Sequence, residues 1–276
     1  MKKIDAHHHC WKYDAQKHGW INDSMKRIQR DFGPEDLEVS LEANDVAGTV
    51  IVQVDQEPEE NHFMLAQAQT CTFIKGMVGW IDLQAPDLPE RLAMWQSEPL
   101  MKGFRHIAQA EPDDFLARPN IIKSIGHLGR FGFTYDLLIK PPQMEAAIEL
   151  VRALPHQPFV VDHIAKPYIA AGEMEPWKKH IRALASCPNV FCKLSGMVTE
   201  ANWQHWTNTD IRPYMQVVLE AFGPYRIMFG SDWPVCLVAA SYDAVVDTTR
   251  QFVQQLSMPE QEAIWYKTAE RFYKLK

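Results

Sequence analysis

Three consecutive imidazoles, His7-His8-His9, end the apolar-acid-small run Ile4-Asp5-Ala6. On a β-strand successive side chains leave opposite faces, so His7 and His9 share a face and Asp5 is expected below them, orienting an imidazole. Imidazole is the commonest metal ligand and titrates near neutrality, so this pair can mount a metal ion or polarise a carbonyl. A tag remnant would sit in a polar linker, whereas these histidines grow directly out of Lys3-Ile4-Asp5-Ala6.

Residues that act together need elements that bring them together. Seven further runs read as buried strands: Thr49 to Val54, Gly76 to Ile81, Lys102 to Ile107, Gly132 to Leu138, Pro158 to Ile164, Val190 to Ser195 and Ile227 to Asp232. With Lys3 to Ala6 they make eight, alternating with helical patterns opened by Pro or an acid. One such helix begins at Pro34 and carries Leu37, Leu41 and Val46 to Gly48, another runs from Pro58 to about Phe73, and Pro259 opens a terminal one. Eight strand–helix units in 276 residues predict an α/β fold of the (β/α)8 TIM-barrel type, one domain spanning 1–276. Cys10 to Gly33, with Trp11 and Trp20, is too long for a plain connection and reads as a packed lid.

Barrel enzymes carry their chemistry at the C-terminal strand ends. In this chain those ends hold His7 and His9, Gln53 and Asp55, Trp80 and Asp82, Arg105 and His106, Tyr135 and Asp136, Asp162 and His163, Lys193 and Ser195, and Asp232 with Trp233. The strand starts are apolar or plain turns, so the asymmetry is a functional signal.

Composition narrows the ligand. The chain is 46% hydrophobic and 23% charged, carries a net charge of -7 and has no basic stripe, which argues against nucleic acid. No apolar run approaches the ~20 residues of a membrane helix, and no signal-like segment follows Met1, so a cytoplasmic protein is expected. Five scattered cysteines without a C-x-x-C pair read as reduced thiols. A small molecule is the expected partner, and a homo-oligomer stays open.

His7-x-His9, the lone His163 and Asp232 have the order and strand positions of the amidohydrolase superfamily. The segments Asp162-His163-Ile164-Ala165-Lys166-Pro167, Lys193-Leu194-Ser195-Gly196, Gly103-Phe104-Arg105-His106 and Gly230-Ser231-Asp232-Trp233-Pro234 resemble its amidohydrolase-2 group, which contains L-fuconolactonases and L-rhamnonolactonases. The resemblance spans strand one to strand eight and implies hydrolysis of an aldonic acid lactone. It implies that His7, His9 and His163 bind metal or polarise the carbonyl, with Asp232 as base and oxygen ligand and His163 as a second catalytic group. No lysine or glutamate stands where two metals would be bridged, so one zinc-like ion is expected, and the resemblance leaves open whether even that ion is needed.

Ester hydrolysis needs a water, a base and a positive group at the carbonyl oxygen, here zinc or a protonated histidine. Substrate contacts are expected from Arg105, Lys193 and Gln53, with the Trp233 indole stacking on a sugar C–H face. Arg105 and Lys193 have an alternative as ion pairs with Asp82 or Asp136. Asp162 is expected to face away from His163 and bond neighbouring backbone. The rival reading is a metal-dependent decarboxylase of the same group, whose members commonly carry Glu-x-His at the first strand.

Overall fold

A computed structural model describes residues 1–276. Eight parallel strands lie in sequence order: β1 Lys3–His8, β2 Val46–Val52, β3 Ile74–Gly79, β4 Met101–His106, β5 Thr134–Leu137, β6 Phe159–Val161, β7 Val190–Leu194 and β8 Ile227–Phe229. The principal helices between them are α1 Pro34–Ala43, α2 Pro58–Thr70, α3 Leu88–Gln96, α4 Pro119–Arg130, α5 Met144–Ala153, α6 Trp177–Ala185, the short α7 Met197–Glu200 and α8 Asn208–Phe222. After β8 come α9 Tyr242–Val253, α10 Met258–Glu262 and α11 Thr268–Tyr273. This is the expected TIM barrel. Proline stands in the first turn of α1, α2, α3 and α4, where its missing N–H costs nothing.

Several boundaries move. α1 stops at Ala43, because Asp45 takes a left-handed φ of 53° and Val46 opens β2 instead of continuing the helix. Strands β6 and β8 end three residues earlier than the apolar runs suggest, where the backbone leaves the ladder to place His163 and Asp232. The terminal helix expected from Pro259 is continuous in path but carries a π turn at Ala263–Lys267. Its last turn sends Phe272 and Tyr273 into a cluster with Ile4, Ala6, Val50, Val52, Val78, Val160 and Met228, which plugs the barrel interior. In the segment after His9, Trp11 is packed, bridging Phe32 in both backbone directions, while Trp20 is 43% exposed.

The seam between β8 and β1 is made past the end of the β8 ladder. Asp232 N–H donates to the His7 carbonyl (2.8 Å) and His9 N–H to the Trp233 carbonyl (2.7 Å). On the other side of β1 the pairing with β2 slips between Asp5 and His8, a bulge that breaks the alternation of faces. Ile4 and Ala6 therefore point into the plugged interior and His7 does too. Asp5 is left on the seam, where it accepts from Ser231 N–H (2.8 Å), His7 N–H (3.1 Å) and the Tyr242 hydroxyl (3.1 Å). Asp5 thus holds backbone and not an imidazole, contrary to the expectation from simple alternation.

Beside this rim Glu60 is buried at the start of α2, accepting from Val54 N–H at 2.7 Å. Burial lifts its carboxyl to about 7. Below the ordinary carboxyl value both folded and unfolded chains hold the proton and there is no cost. As pH rises through the window up to about 7 the unfolded chain ionises freely while the folded chain holds its proton, so stability falls. Glu60→Gln keeps the acceptor and removes the charge. Thermal melts should show the variant more stable than wild type by on the order of 2–3 kcal/mol at pH 8, with the difference vanishing near pH 4. A difference independent of pH would place the Glu60 charge in solvent.

Candidate active site

Three strand ends converge on one buried point. His7 and His9 come from β1, with their Nε2 atoms 3.2 Å apart. Asp232, on a left-handed φ of 59°, brings Oδ1 to 3.4 Å from His9 Nε2, 3.8 Å from His7 Nε2 and 3.7 Å from His163 Nε2. His163 opens a left-handed turn in which four successive non-glycine residues, through Lys166, have φ of 52°, 49°, 60° and 46°. Each costs about 1–2 kcal/mol relative to a right-handed conformation, and such strain gathers where side-chain placement matters. The His163 ring is fixed by Ser195, whose Oγ lies 2.9 Å from Nδ1, and by Gly196, where a Cβ would sit 2.5 Å from that same nitrogen.

The imidazoles are neutral at physiological pH. Burial pushes His7 and His163 well below the ordinary histidine value and lowers His9 as well. The protonated-histidine electrophile expected from the sequence is therefore disfavoured here, because no solvent supports the imidazolium. His9 Nδ1 faces the Val52 carbonyl at 2.8 Å. A carbonyl only accepts, so His9 carries its proton there and turns the Nε2 lone pair to the centre. Burial raises the Asp232 carboxyl, but His163, His9 and Lys166 outweigh it and hold the group below the usual range. The result is an ionised carboxylate among neutral imidazoles.

Below this centre lies a charge network with no solvent access. Lys193 Nζ is 2.6 Å from Asp136 Oδ2, 3.0 Å from Asp162 Oδ1 and 3.1 Å from His7 Nδ1. Arg105 Nη1 reaches Asp162 Oδ2 at 3.1 Å and His7 Nε2 at 3.3 Å, while Nη2 donates to the Gln53 carbonyl. Tyr273 donates its hydroxyl to Asp136 at 2.7 Å. Two cations and two carboxylates balance. Burial pushes Asp162 up, yet Lys193, His7 and Arg105 pull it well below the usual value, whereas burial leaves Asp136 raised to about 6.

The four residues expected to touch substrate are thus placed differently from that expectation. Lys193 is 0% exposed and its ammonium is occupied, so the ion-pair alternative with Asp136 describes it. Arg105 pairs with Asp162, neither Asp82 nor Asp136. Gln53 is fully buried and clamps the guanidinium with its carbonyl. The Trp233 indole is 3% exposed and edge-on to Phe32, leaving no face for a sugar. Asp162 does not face away: β6 ends at Val161, three residues short of Ile164, and past that end the Asp162 carboxylate turns inward, onto Arg105, Lys193 and His7. Sequence reasoning offered Asp136 but missed Asp162 as the partner shared by both cations. The signal available was balance, two acids and two bases at neighbouring interior strand ends.

The donors fit a small divalent ion. For bonds of about 2.0–2.1 Å the edges of a tetrahedron are about 3.3–3.4 Å. His7, His9 and Asp232 offer three donor atoms within 4.8 Å of one another, at edges of 3.2, 3.4 and 3.8 Å, and leave a position open. His163 falls outside that triad, grouping with His7 and Asp162, so the four expected ligands do not form one set.

The amidohydrolase family model (Amidohydro_2) matches residues 4–275. An L-fucono-1,5-lactonase of Burkholderia multivorans is 37% identical over 285 residues, covering 99% of this chain and 96% of its own. Another L-fucono-1,5-lactonase, from Burkholderia ambifaria, is 36% identical over 241 residues, 87% of this chain and 83% of its own. Among solved structures, an amidohydrolase from Burkholderia multivorans with bound zinc superposes with a TM-score of 0.95 at 36% identity over the whole of both chains.

Removing one member of a buried charge network strands the others. Lys193→Met leaves Asp136 and Asp162 facing each other without their shared cation, which costs about 3–5 kcal/mol. Calorimetry should register this as a fall in Tm of roughly 6–20 °C. A melting point within about 2 °C of wild type, together with a raised KM alone, would return Lys193 to the role of a substrate contact.

Proposed function

This chain belongs to the amidohydrolase family, and from that premise we propose that it acts as a single barrel domain, in the cytoplasm, opening a sugar lactone by attack of an activated water. It is a lactone hydrolase. L-fucono-1,5-lactone is the leading substrate, supported by two L-fucono-1,5-lactonase relatives over most of the chain. The decarboxylase reading has less support: the first strand carries His7-x-His9, with no glutamate in the first position.

The observation that carries the chemistry is an ionised Asp232 with three imidazole nitrogens within 3.8 Å of one oxygen. As base, Asp232 takes a proton from water while the water oxygen bonds to the lactone carbonyl carbon. The carbonyl oxygen gathers negative charge, which the Arg105 guanidinium beneath His7 favours electrostatically. When the ring C–O bond breaks, the proton held by Asp232 passes to the ring oxygen, giving a hydroxy acid that ionises and releases one proton to solution. His163, locked by Ser195 and Gly196, borders Asp232 and is placed to orient the water. His7, His9 and Asp232 would hold a divalent ion such as zinc, which supplies Lewis-acid polarisation of the carbonyl when bound. An ester asks less of its catalyst than an amide, and the neutral imidazoles and the buried Arg105 guanidinium line the same centre.

A pH-indicator assay with L-fucono-1,5-lactone reads the released proton directly. Asp232→Asn keeps the shape and removes the basicity, and kcat should fall by about 10²- to 10⁴-fold while the variant still binds the lactone. A folded variant keeping more than about a tenth of wild-type kcat would move the base to His163. Repeating the assay after chelation, with zinc added back, separates an ion-dependent from an ion-independent enzyme.

A further inference from the structure

Arg105 and Lys193 are committed to Asp162 and Asp136, which leaves the lactone hydroxyls without the charged partners expected from the sequence. One other cation stands close to the centre. Lys166 ends the left-handed turn that begins at His163, and its N–H donates back to the His163 carbonyl at 2.8 Å. Its ammonium lies 3.7 Å from Glu200 Oε1, longer than a hydrogen bond, and the two side chains are 18% and 21% exposed. Glu200 closes the four-residue helix α7 that starts beside Gly196, the residue packed against the His163 ring. Both charges are therefore built onto the frame that fixes His163. Both also lie within field range of Asp232: Lys166 helps hold that carboxyl down, and Asp232 adds to the burial that raises Glu200.

We infer that Lys166 and Glu200 are the specificity pair of this site, the ammonium donating to and the carboxylate accepting from neighbouring hydroxyls of a polyhydroxylated lactone. The inference rests on the lactonase reading and deepens it. A donor and an acceptor of opposite charge, about a fifth exposed and 3.7 Å apart, match a vicinal diol, each hydroxyl of which both donates and accepts. Holding them apart requires a rigid mount. The left-handed turn that places His163 supplies one, since Lys166 is its last residue. The buried pairs below carry structure and this pair carries recognition.

The test compares wild type with Lys166→Met, Lys166→Arg and Glu200→Gln, using L-fucono-1,5-lactone as substrate and unsubstituted δ-valerolactone as competitor. The readout is preference, the inhibition constant of δ-valerolactone divided by the KM of the sugar lactone. Losing a charged hydrogen bond should lower this ratio by about ten- to a hundredfold in Lys166→Met and Glu200→Gln, with KM moving more than kcat. Lys166→Arg, which keeps a cationic donor, should recover most of it. A fall of less than tenfold in both variants, or equal weakening of both lactones, overturns the inference. Thermal melts verify folding, and should Lys166→Met not fold, Glu200→Gln and Lys166→Arg decide. A wild-type protein that opens no sugar lactone would bring down the lactonase reading and this pair with it. An active wild type with unchanged preference brings down the pair alone.

Discussion

The site depends on the Asp162 carboxylate, which no water reaches and which binds both Arg105 and Lys193. Burying a single charge costs several kcal/mol, and attraction to close opposite charges, with added hydrogen bonds, offsets it. Here each charge has at least one opposite within 3.1 Å and Tyr273 and Gln53 supply further hydrogen bonds, with Asp136 Oδ1 and Arg105 Nε left unpartnered. Four charges can therefore sit in the barrel interior at no net charge. The apolar plug of Phe272, Tyr273 and the interior valines keeps water away from them. Terminal-helix packing is in this way a condition of the chemistry, although it lies at the far end of the barrel.

The same network decides what His7 can do. Its Nδ1 has two neighbours with opposite demands: the Lys193 ammonium at 3.1 Å only donates and so asks for a lone pair, whereas Asp162 at 3.4 Å only accepts and so asks for a proton. With the proton on Nε2, His7 donates to the His9 lone pair 3.2 Å away and the centre is closed on itself. With the proton on Nδ1, shared with Asp162, Nε2 is free to act as a ligand, the carboxylate–histidine arrangement that orients metal-binding imidazoles. Arg105 also points at Nε2, so a divalent ion there meets a resident cation and is bound only as tightly as that repulsion permits.

How far the sequence showed this follows the physics of each level. The eight strands were legible because buried parallel strands are continuous β-branched and apolar runs, and the histidines and Asp232 because their polarity breaks such runs at the C-terminal ends. What alternation could not show was the bulge between Asp5 and His8, which puts Asp5 on the seam. Nor could it show the left-handed turns at His163 and Asp232, since neither position has a glycine to announce it. Gly196 and Gly230 do announce a close approach, where a Cβ would meet His163 and His7, but only coordinates tell which residue approaches. Lys193 illustrates a harder limit. A lysine at an active-site strand end reads as a substrate contact or an ion pair, and the choice turns on whether two carboxylates from other strands reach it first.

That competition explains the division of charge in this barrel. A cation deep among strand ends is needed to neutralise interior acids, and once paired its charge is turned to those acids and away from a ligand. The recognition proposed above falls to groups further out, on the βα segments, where Lys166 and Glu200 lie 3.7 Å apart and partly solvated. Asp232 lies between the two layers. It is close enough to the outer Lys166 for that charge to help keep it ionised, and close enough to the neutral imidazoles to act on whatever they hold. A base in the deeper layer would be paired off as Asp162 is, and one in the outer layer would be solvated and weakly positioned. The left-handed conformation at Asp232, anchored to the His7 carbonyl, fixes the carboxylate at the one depth where it is both ionised and free.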